Sequence, residues 1–292
     1  MRIDDGRLTI AGMKLAAGDA AEVALATQSS IDHRHSSSRA WTLLHDPSPR
    51  PGWYNMALDQ ALLDRAERTG EGFVRLYAWS PWCLSFGRHE PAQRRYDRER
   101  IRALGIDTVR RPTGGRAVWH ARELTYAVAA PVSWFGGLAM AYRVVHEMLA
   151  RALGRLGVSA TLAPPSTPGP IGAGACFASH AGGEVLAGGR KLVGSAQLRQ
   201  GSAFLQHGSM LLEDDQRLLA ELTLGDTPPR SEITLREAGS RTVTFSDVAR
   251  AVSDELPAWG GRWDEGIGPD EACALAAPHL MHFKDPDWTW HR

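Results

Sequence analysis

The chain has 292 residues, and its 33 Lys+Arg balance 33 Asp+Glu, so a protein that coats a polyanion is disfavoured. Hydrophobic residues make up 43% and charged residues 23%, ordinary globular usage that supplies a sizeable core and excludes wholesale disorder. There is no apolar run of about 18 residues, Asp4, Asp5 and Arg7 precede any apolar stretch, and Cys83, Cys176 and Cys273 are too widely spaced for a metal cluster; a soluble cytoplasmic protein with reduced thiols is expected, engaging neither nucleic acid nor membrane.

Residues 1–38 show no sustained period and read as a poorly ordered extension, or as a start placed too early. Tyr54, Ala57, Leu58, Ala61, Leu62 and Ala66 recur at helical spacing with Asn55, Asp59, Asp64 and Arg65 between them, which predicts an amphipathic helix over about 53–68. Residues 73–79 and 83–86 read as short strands around Ser80-Pro81, 94–104 as a charged helix closed by Gly105, and 107–111 as the next strand. Beyond the Gly114-Gly115 break, 117–119 and 123–129 read as strands and 139–156 as the longest helix, with Met140, Val144, Met148, Leu149 and Leu153 on its apolar side. A Pro- and Gly-rich loop over 164–174 leads to strands at 184–187 and 191–198, which flank Gly188-Gly189 as a hairpin, and to a further strand at 203–212. A helix over 245–256 and a Trp-rich end follow.

Strands in adjacent pairs interrupted by three helices predict an α+β fold with a mixed, largely antiparallel sheet and flanking helices. The expected division is an extension at 1–38, a main domain at 39–244 and a small C-terminal element at 245–292 packed on it.

The densest constellation runs from Arg110-Arg111-Pro112-Thr113-Gly114-Gly115 to His120. Two glycines let the backbone approach a ligand closely, and the flanking arginines supply charge. A bare Thr-Gly-Gly also fits a tight turn between strands; two arginines before it and a histidine after it favour a binding loop. No Gly-Lys-Ser/Thr follows, so it is not a Walker loop.

Residues 88–123 hold ten arginines against five acids, a local charge of +5, whereas 245–292 hold nine acids against four basic residues. This fits a docking face for an acidic partner, and equally a solvated helix laced with ion pairs. Lysine is scarce: Lys14, Lys191 and Lys284 stand among 30 arginines. Codon bias accounts for such a count; the chemical reading is that a guanidinium cannot replace an ammonium whose pKa must move.

Cys176 ends the Gly-rich loop, fifteen residues before Lys191. A hairpin could bring the ammonium beside the sulfur and stabilise thiolate, although an isolated cysteine also fits a small buried hydrophobe, the reading given to Cys83 and Cys273. Gly194, Ser195 and His207 lie on two strands whose small residues leave room between them; His207 is a candidate base or a structural histidine. No metal-ligand spacing occurs, so no metal is expected.

These residues resemble the lipoate-metabolism branch of the biotin/lipoate protein ligase superfamily. The resemblance rests on residues 54–59, 110–120, 123–126, 189–197 and 205–209, in that order. It implies a mixed-sheet catalytic domain in which the Arg-Arg loop lines an acyl pocket, with Arg111, Thr113, Gly114, Gly115, His120, Gly194, Ser195 and His207 as substrate-binding positions. Cys176-Phe177 and Lys191 match the positions at which Cys-dependent octanoyltransferases carry the acyl-thioester cysteine and the lysine that lowers its pKa. The implied partners are octanoyl-acyl carrier protein and apo lipoyl-domain proteins, with no cofactor. Two other activities share the architecture: an ATP-dependent lipoate ligase, which would need ATP and Mg, and an amidotransferase acting between lipoyl domains. The chain departs from the family pattern at Ala178 to Gly183, where a Pro and an aromatic are usual, and at Ala121, which follows His120 where Asp or Asn is common.

Overall fold

The computed structural model describes residues 38–46, 48–164, 183–213, 216–225, 231–239 and 242–291, and the backbone of three N-terminal strands. Those strands, Ile3–Asp4, Arg7–Ile10 and Met13–Ala16, pair antiparallel in sequence order. They form a meander within the stretch whose sequence has no sustained period.

Six strands build the central sheet in the spatial order Val193–Gln200, Ala203–Leu211, Glu123–Pro131, Gly72–Tyr77, Ala40–His45 and Arg262–Glu265. Neighbours among the first four are antiparallel and the last two join in parallel, so the sheet is mixed and largely antiparallel. The C-terminal region contributes its outermost strand.

Helices cover both faces, and the strand Glu123–Pro131 is divided between them by its two-residue period. Leu124, Tyr126 and Val128 face the helix Leu138–Arg155, packing with Val145, Met148 and Leu149. Ala127 and Ala129 face the helix Gly52–Thr69, packing with Leu58 and Leu62. Burial of each such Leu or Val contributes roughly 1.5–3 kcal/mol. Gly70 ends the first helix in the left-handed region (φ 72°), its N–H donating to the Ala66 carbonyl.

That first helix departs from simple amphipathicity. Asn55 and Asp59, polar residues between the apolar positions, are fully buried because Arg75, also fully buried, rises from the sheet to meet them. The Arg75 guanidinium donates to Asp59 Oδ1 at 3.0 Å and to Asn55 Oδ1 at 2.7 Å.

A second, three-stranded sheet stands beside the first. In it Cys83–Phe86 runs between Asp107–Arg110, parallel to it, and Val118–His120, antiparallel to it. The predicted charged helix is two short ones, Ala92–Arg95 and Arg98–Ala103. They separate where Tyr96 turns extended and buries its ring, its hydroxyl donating to Glu90, and where Asp97 caps the second helix by accepting from the Arg100 N–H. The predicted hairpin also divides. Val185–Ala187 runs between Ala160–Leu162 and Arg190–Lys191, antiparallel to both, and at Leu192 the chain leaves this third sheet for the central one. No helix among the described residues is long and apolar enough to cross a membrane.

Candidate active site

Between the central sheet, on the face that carries the helix Gly52–Thr69, and the second sheet lies a cavity whose empty space, counted with the solvent at its open side, is about 320 Å³. Of the expected binding residues, Arg111, His120, Gly194, Ser195 and His207 border it. Thr113 stands one hydrogen bond behind, on His207; Gly114 and Gly115 carry the loop past the cavity without bordering it. Met56, Tyr77, Trp79, Val118, Thr125 and Ser209 complete much of the wall, and none was singled out as a binding residue in the sequence.

Two buried carboxylates organise the polar part of this wall. Asp59, already paired with Arg75, accepts from the Tyr77 hydroxyl at 2.8 Å and from His207 Nδ1 at 2.9 Å. Nδ1 therefore carries the hydrogen, and Nε2 accepts from the Thr113 hydroxyl at 2.6 Å. Burial holds the His207 pKa below its ordinary value, against the pull of Asp59. The imidazole thus rivets the Gly-Gly loop to the central sheet, a positioning role rather than that of an unengaged base. Glu123 accepts from the Thr125 and Ser209 hydroxyls and from His120 Nδ1, the last at 2.8 Å. His120 stacks on Trp79 with ring centroids 3.9 Å apart and meets the Ser85 hydroxyl through Nε2 at 2.6 Å.

The paired arginines do not act as surface charges. Arg111 is buried, and its terminal nitrogens donate to Ser85 O and Oγ and to the carbonyls of Gly114 and Arg116, clamping the loop's own backbone. Arg110 is fully buried and points the other way, donating to the carbonyls of Gly87, Glu90, Trp288, Thr289 and His291. It fastens the C-terminal helix Pro286–Trp290 to the second sheet. Gly87 explains how closely these segments approach, since a Cβ there would lie 1.9 Å from the Gly115 carbonyl oxygen. With Glu90 and Glu123 also buried, eight arginines and three acids of the 88–123 stretch remain exposed or half-buried, and the local excess of five survives by cancellation.

Ser195 lies opposite Gly208, which in turn faces Tyr126, so its side chain belongs to the sheet face that carries Tyr126. Its hydroxyl meets Tyr126 at 2.7 Å and His146 Nε2 at 2.8 Å. His146, on the long helix, donates from Nδ1 to the Gly183 carbonyl at 2.7 Å; burial first, then the charge of Lys191, hold its pKa down at about 4 although the Gly183 bond opposes them. Lys191 is buried and its Nζ lies 2.5 Å from Glu184 Oε1.

Cys176 and Phe177 lie outside the described residues, within 165–182. The residues flanking that stretch are joined to each other: the Ala163 N–H donates to the Glu184 carbonyl at 2.7 Å and the Gly183 N–H to Ala163 at 2.9 Å. Cys83 is buried as expected, and burial pushes its thiol well up. Cys273 is instead exposed, its Sγ 3.7 Å from the Tyr54 hydroxyl, because the helix Pro269–Ala276 turns only part of its surface inward.

The residues that sequence reasoning left without a role were partly signalled. Asp59 and Glu123 sit inside the segments that carry the family resemblance. His146 is a lone imidazole between Val145 and Met148 on an apolar face. Glu184 opens the hairpin that contains Lys191.

The family model described as lipoyl protein ligase A/B catalytic domain matches residues 51–257. The chain belongs to this family. It is 38% identical to an octanoyltransferase LipM from Kyrpidia tusciae over 87% of this chain and 100% of that relative. A second octanoyltransferase LipM, from Exiguobacterium sp., is 32% identical over 86% of this chain and 98% of its own length. Among solved structures, a lipoate-protein ligase A bound with ATP superposes with a TM-score of 0.69 at 20% identity, covering 87% of this chain and 98% of its own. That likeness shows the fold.

Proposed function

We propose that the protein is an acyltransferase that moves an octanoyl group from acyl carrier protein to a lysine of apo lipoyl-domain proteins through a thioester on Cys176. The observation that carries this reading is the 38% identity spanning the whole of a relative named octanoyltransferase, joined to the presence in this sequence of Cys176 and Lys191 at the family's spacing. Cys176 gives up its proton, its thiolate attacks the donor's thioester carbonyl, a C–S bond to the enzyme replaces the one to the donor, and the carrier's sulfur leaves as a thiolate that takes up the proton Cys176 released. The substrate lysine, as a neutral amine, then attacks the acyl-enzyme. An amide forms, the Cys176 sulfur leaves, and the proton lost by nitrogen balances the thiolate. Thioester exchange is nearly isoenergetic and amide formation is downhill, so neither ATP nor Mg is required, and no cofactor enters.

Lys191 supports this chemistry through the position of its charge. It is buried, anchored by Glu184, and near enough to His146 to depress that imidazole's pKa. A cation held in a partly dry site favours thiolate over thiol nearby. The chain length separating Gly183 from Cys176 spans up to about 25 Å when extended, ample for the sulfur to reach the cavity. The surface arginines of residues 88–123 suit acidic carrier and lipoyl domains, and the protein is placed in the cytoplasm, away from nucleic acid and membrane.

The test incubates the protein with octanoyl-acyl carrier protein and an apo lipoyl domain without ATP, and separately with free lipoate and ATP. Transfer in the first, with one octanoyl mass trapped on Cys176, is the expected result. Full activity in Cys176→Ala, or transfer only from free lipoate with ATP, would refute the mechanism.

A further inference from the structure

We propose that the cavity selects a fully saturated acyl tail and rejects a tail of equal length bearing a keto oxygen. The inference rests on the acyl-transfer reading and adds a basis for substrate choice. The wall is not made of hydrocarbon alone. Tyr77, Trp79, His120, Thr125, His207 and Ser209 all border the cavity and all carry hydrogen-bonding groups.

Their donor hydrogens are already taken by the protein. The Tyr77 hydroxyl and His207 Nδ1–H end on Asp59. The Thr125 and Ser209 hydroxyls and His120 Nδ1–H end on Glu123. Trp79 Nε1 donates to Thr125 Oγ1 at 2.7 Å, and the Arg111 terminal nitrogens donate to Ser85, Gly114 and Arg116. Asp59 and Glu123, on two different elements, thus draw these donors away from the space between them.

A methylene chain loses nothing in such a slot. A keto oxygen on the tail surrenders its water on entry and meets side chains whose hydrogens point elsewhere, so its lone pairs stay unpaired. The donor must accordingly come from a reaction class that has already reduced the keto functions of the chain. A wall of aliphatic residues would discriminate similarly. Here the discrimination depends on two carboxylates and is therefore adjustable by single substitutions.

Binding of unreactive amides reads this without turnover. Titration calorimetry on the full chain would compare N-ethyloctanamide with its 5-oxo and 7-oxo analogues. The expected result is that both oxo compounds bind roughly 10–100-fold more weakly. Ala196→Ser adds a hydroxyl to the wall, and Glu123→Gln replaces an acceptor by an amide that also donates, turning a hydroxyl loose; each should narrow the ratio several-fold. Equal binding of the three amides by the unsubstituted protein would overturn the selectivity while leaving acyl transfer standing, as would an unchanged ratio in Ala196→Ser, the milder of the two substitutions. Failure of the octanoyl amide itself to bind would overturn the acyl-pocket reading and the selectivity with it.

Discussion

Acidification should destabilise the protein through one imidazole. His146 is fully buried, and its pKa of about 4 results mainly from burial, assisted by Lys191 and opposed by the bond to Gly183. In the unfolded chain the same group returns to an ordinary value of about 6.5. Above that value neither state binds the proton, and the imidazole has no effect on stability. As pH falls from 6.5 towards 4 the unfolded chain takes up a proton that the native protein refuses, so stability declines, by about 2.5 kcal/mol at pH 4.5 and about 3 kcal/mol at pH 4. His207, also held low by burial, acts in the same direction, so the measurement must be a difference. His146→Asn keeps a donor near the Gly183 carbonyl and does not titrate. Urea unfolding of both proteins at pH 7 and pH 4.5 should show the unsubstituted chain losing about 2.5 kcal/mol more than the variant. Parallel losses would mean that His146 protonates in the native state at its ordinary pKa, and the picture of a neutral, fixed imidazole beneath Ser195 would fail.

Asp59→Asn removes a carboxylate from fully buried Arg75 and should cost about 3–5 kcal/mol in denaturant unfolding; a loss below 1 kcal/mol would show that Asp46, 3.0 Å from the same guanidinium, suffices alone. Arg110→Ala releases the carbonyls of Trp288, Thr289 and His291, so trypsin should cut after Lys284 faster in the variant, and identical digestion rates would contradict the strap. Lys191→Arg retains a cation for Glu184 but not a compact ammonium, and acyl transfer should fall by about a hundredfold while the fold persists. Undiminished transfer in that variant would return the scarcity of lysine to codon bias.

The elements that read well from sequence are those whose stabilisation is local. The first helix was visible because Leu58, Leu62 and Ala66 repeat on one side, and the long strand because it alternates between two packed faces. The readings that failed share a distant partner. Asn55 and Asp59 looked like solvent-facing residues of an amphipathic helix, and only Arg75, on the following strand, makes their burial favourable. Arg110 and Arg111 read as exposed charge; Arg111 does border the cavity, but both guanidiniums are engaged by the protein itself. Their acceptors are carbonyl oxygens, which carry no sequence signature, and for Arg110 several lie 178 or more positions along the chain. The break at Tyr96 and the change of sheet at Leu192 are likewise set by packing rather than by local preference.

The three lysines now separate by environment. Lys284 is exposed over the Trp53 ring at 4.0 Å, a place where arginine would serve equally, and Lys14 lies in the N-terminal meander. Lys191 is enclosed, with Glu184 at 2.5 Å. An ion pair alone does not require lysine, because arginine pairs with a carboxylate through two nitrogens and is the more common choice when buried. Arg75 fills that purpose in this same protein, beside Asp59. Under the proposed transfer, the use of lysine at this enclosed position, where the fully buried pair elsewhere uses Arg75, follows from what the ammonium does rather than from what it stabilises. A small, rotatable donor can face a thiolate and an acyl carbonyl in turn, whereas a planar guanidinium would be held in one orientation by its carboxylate.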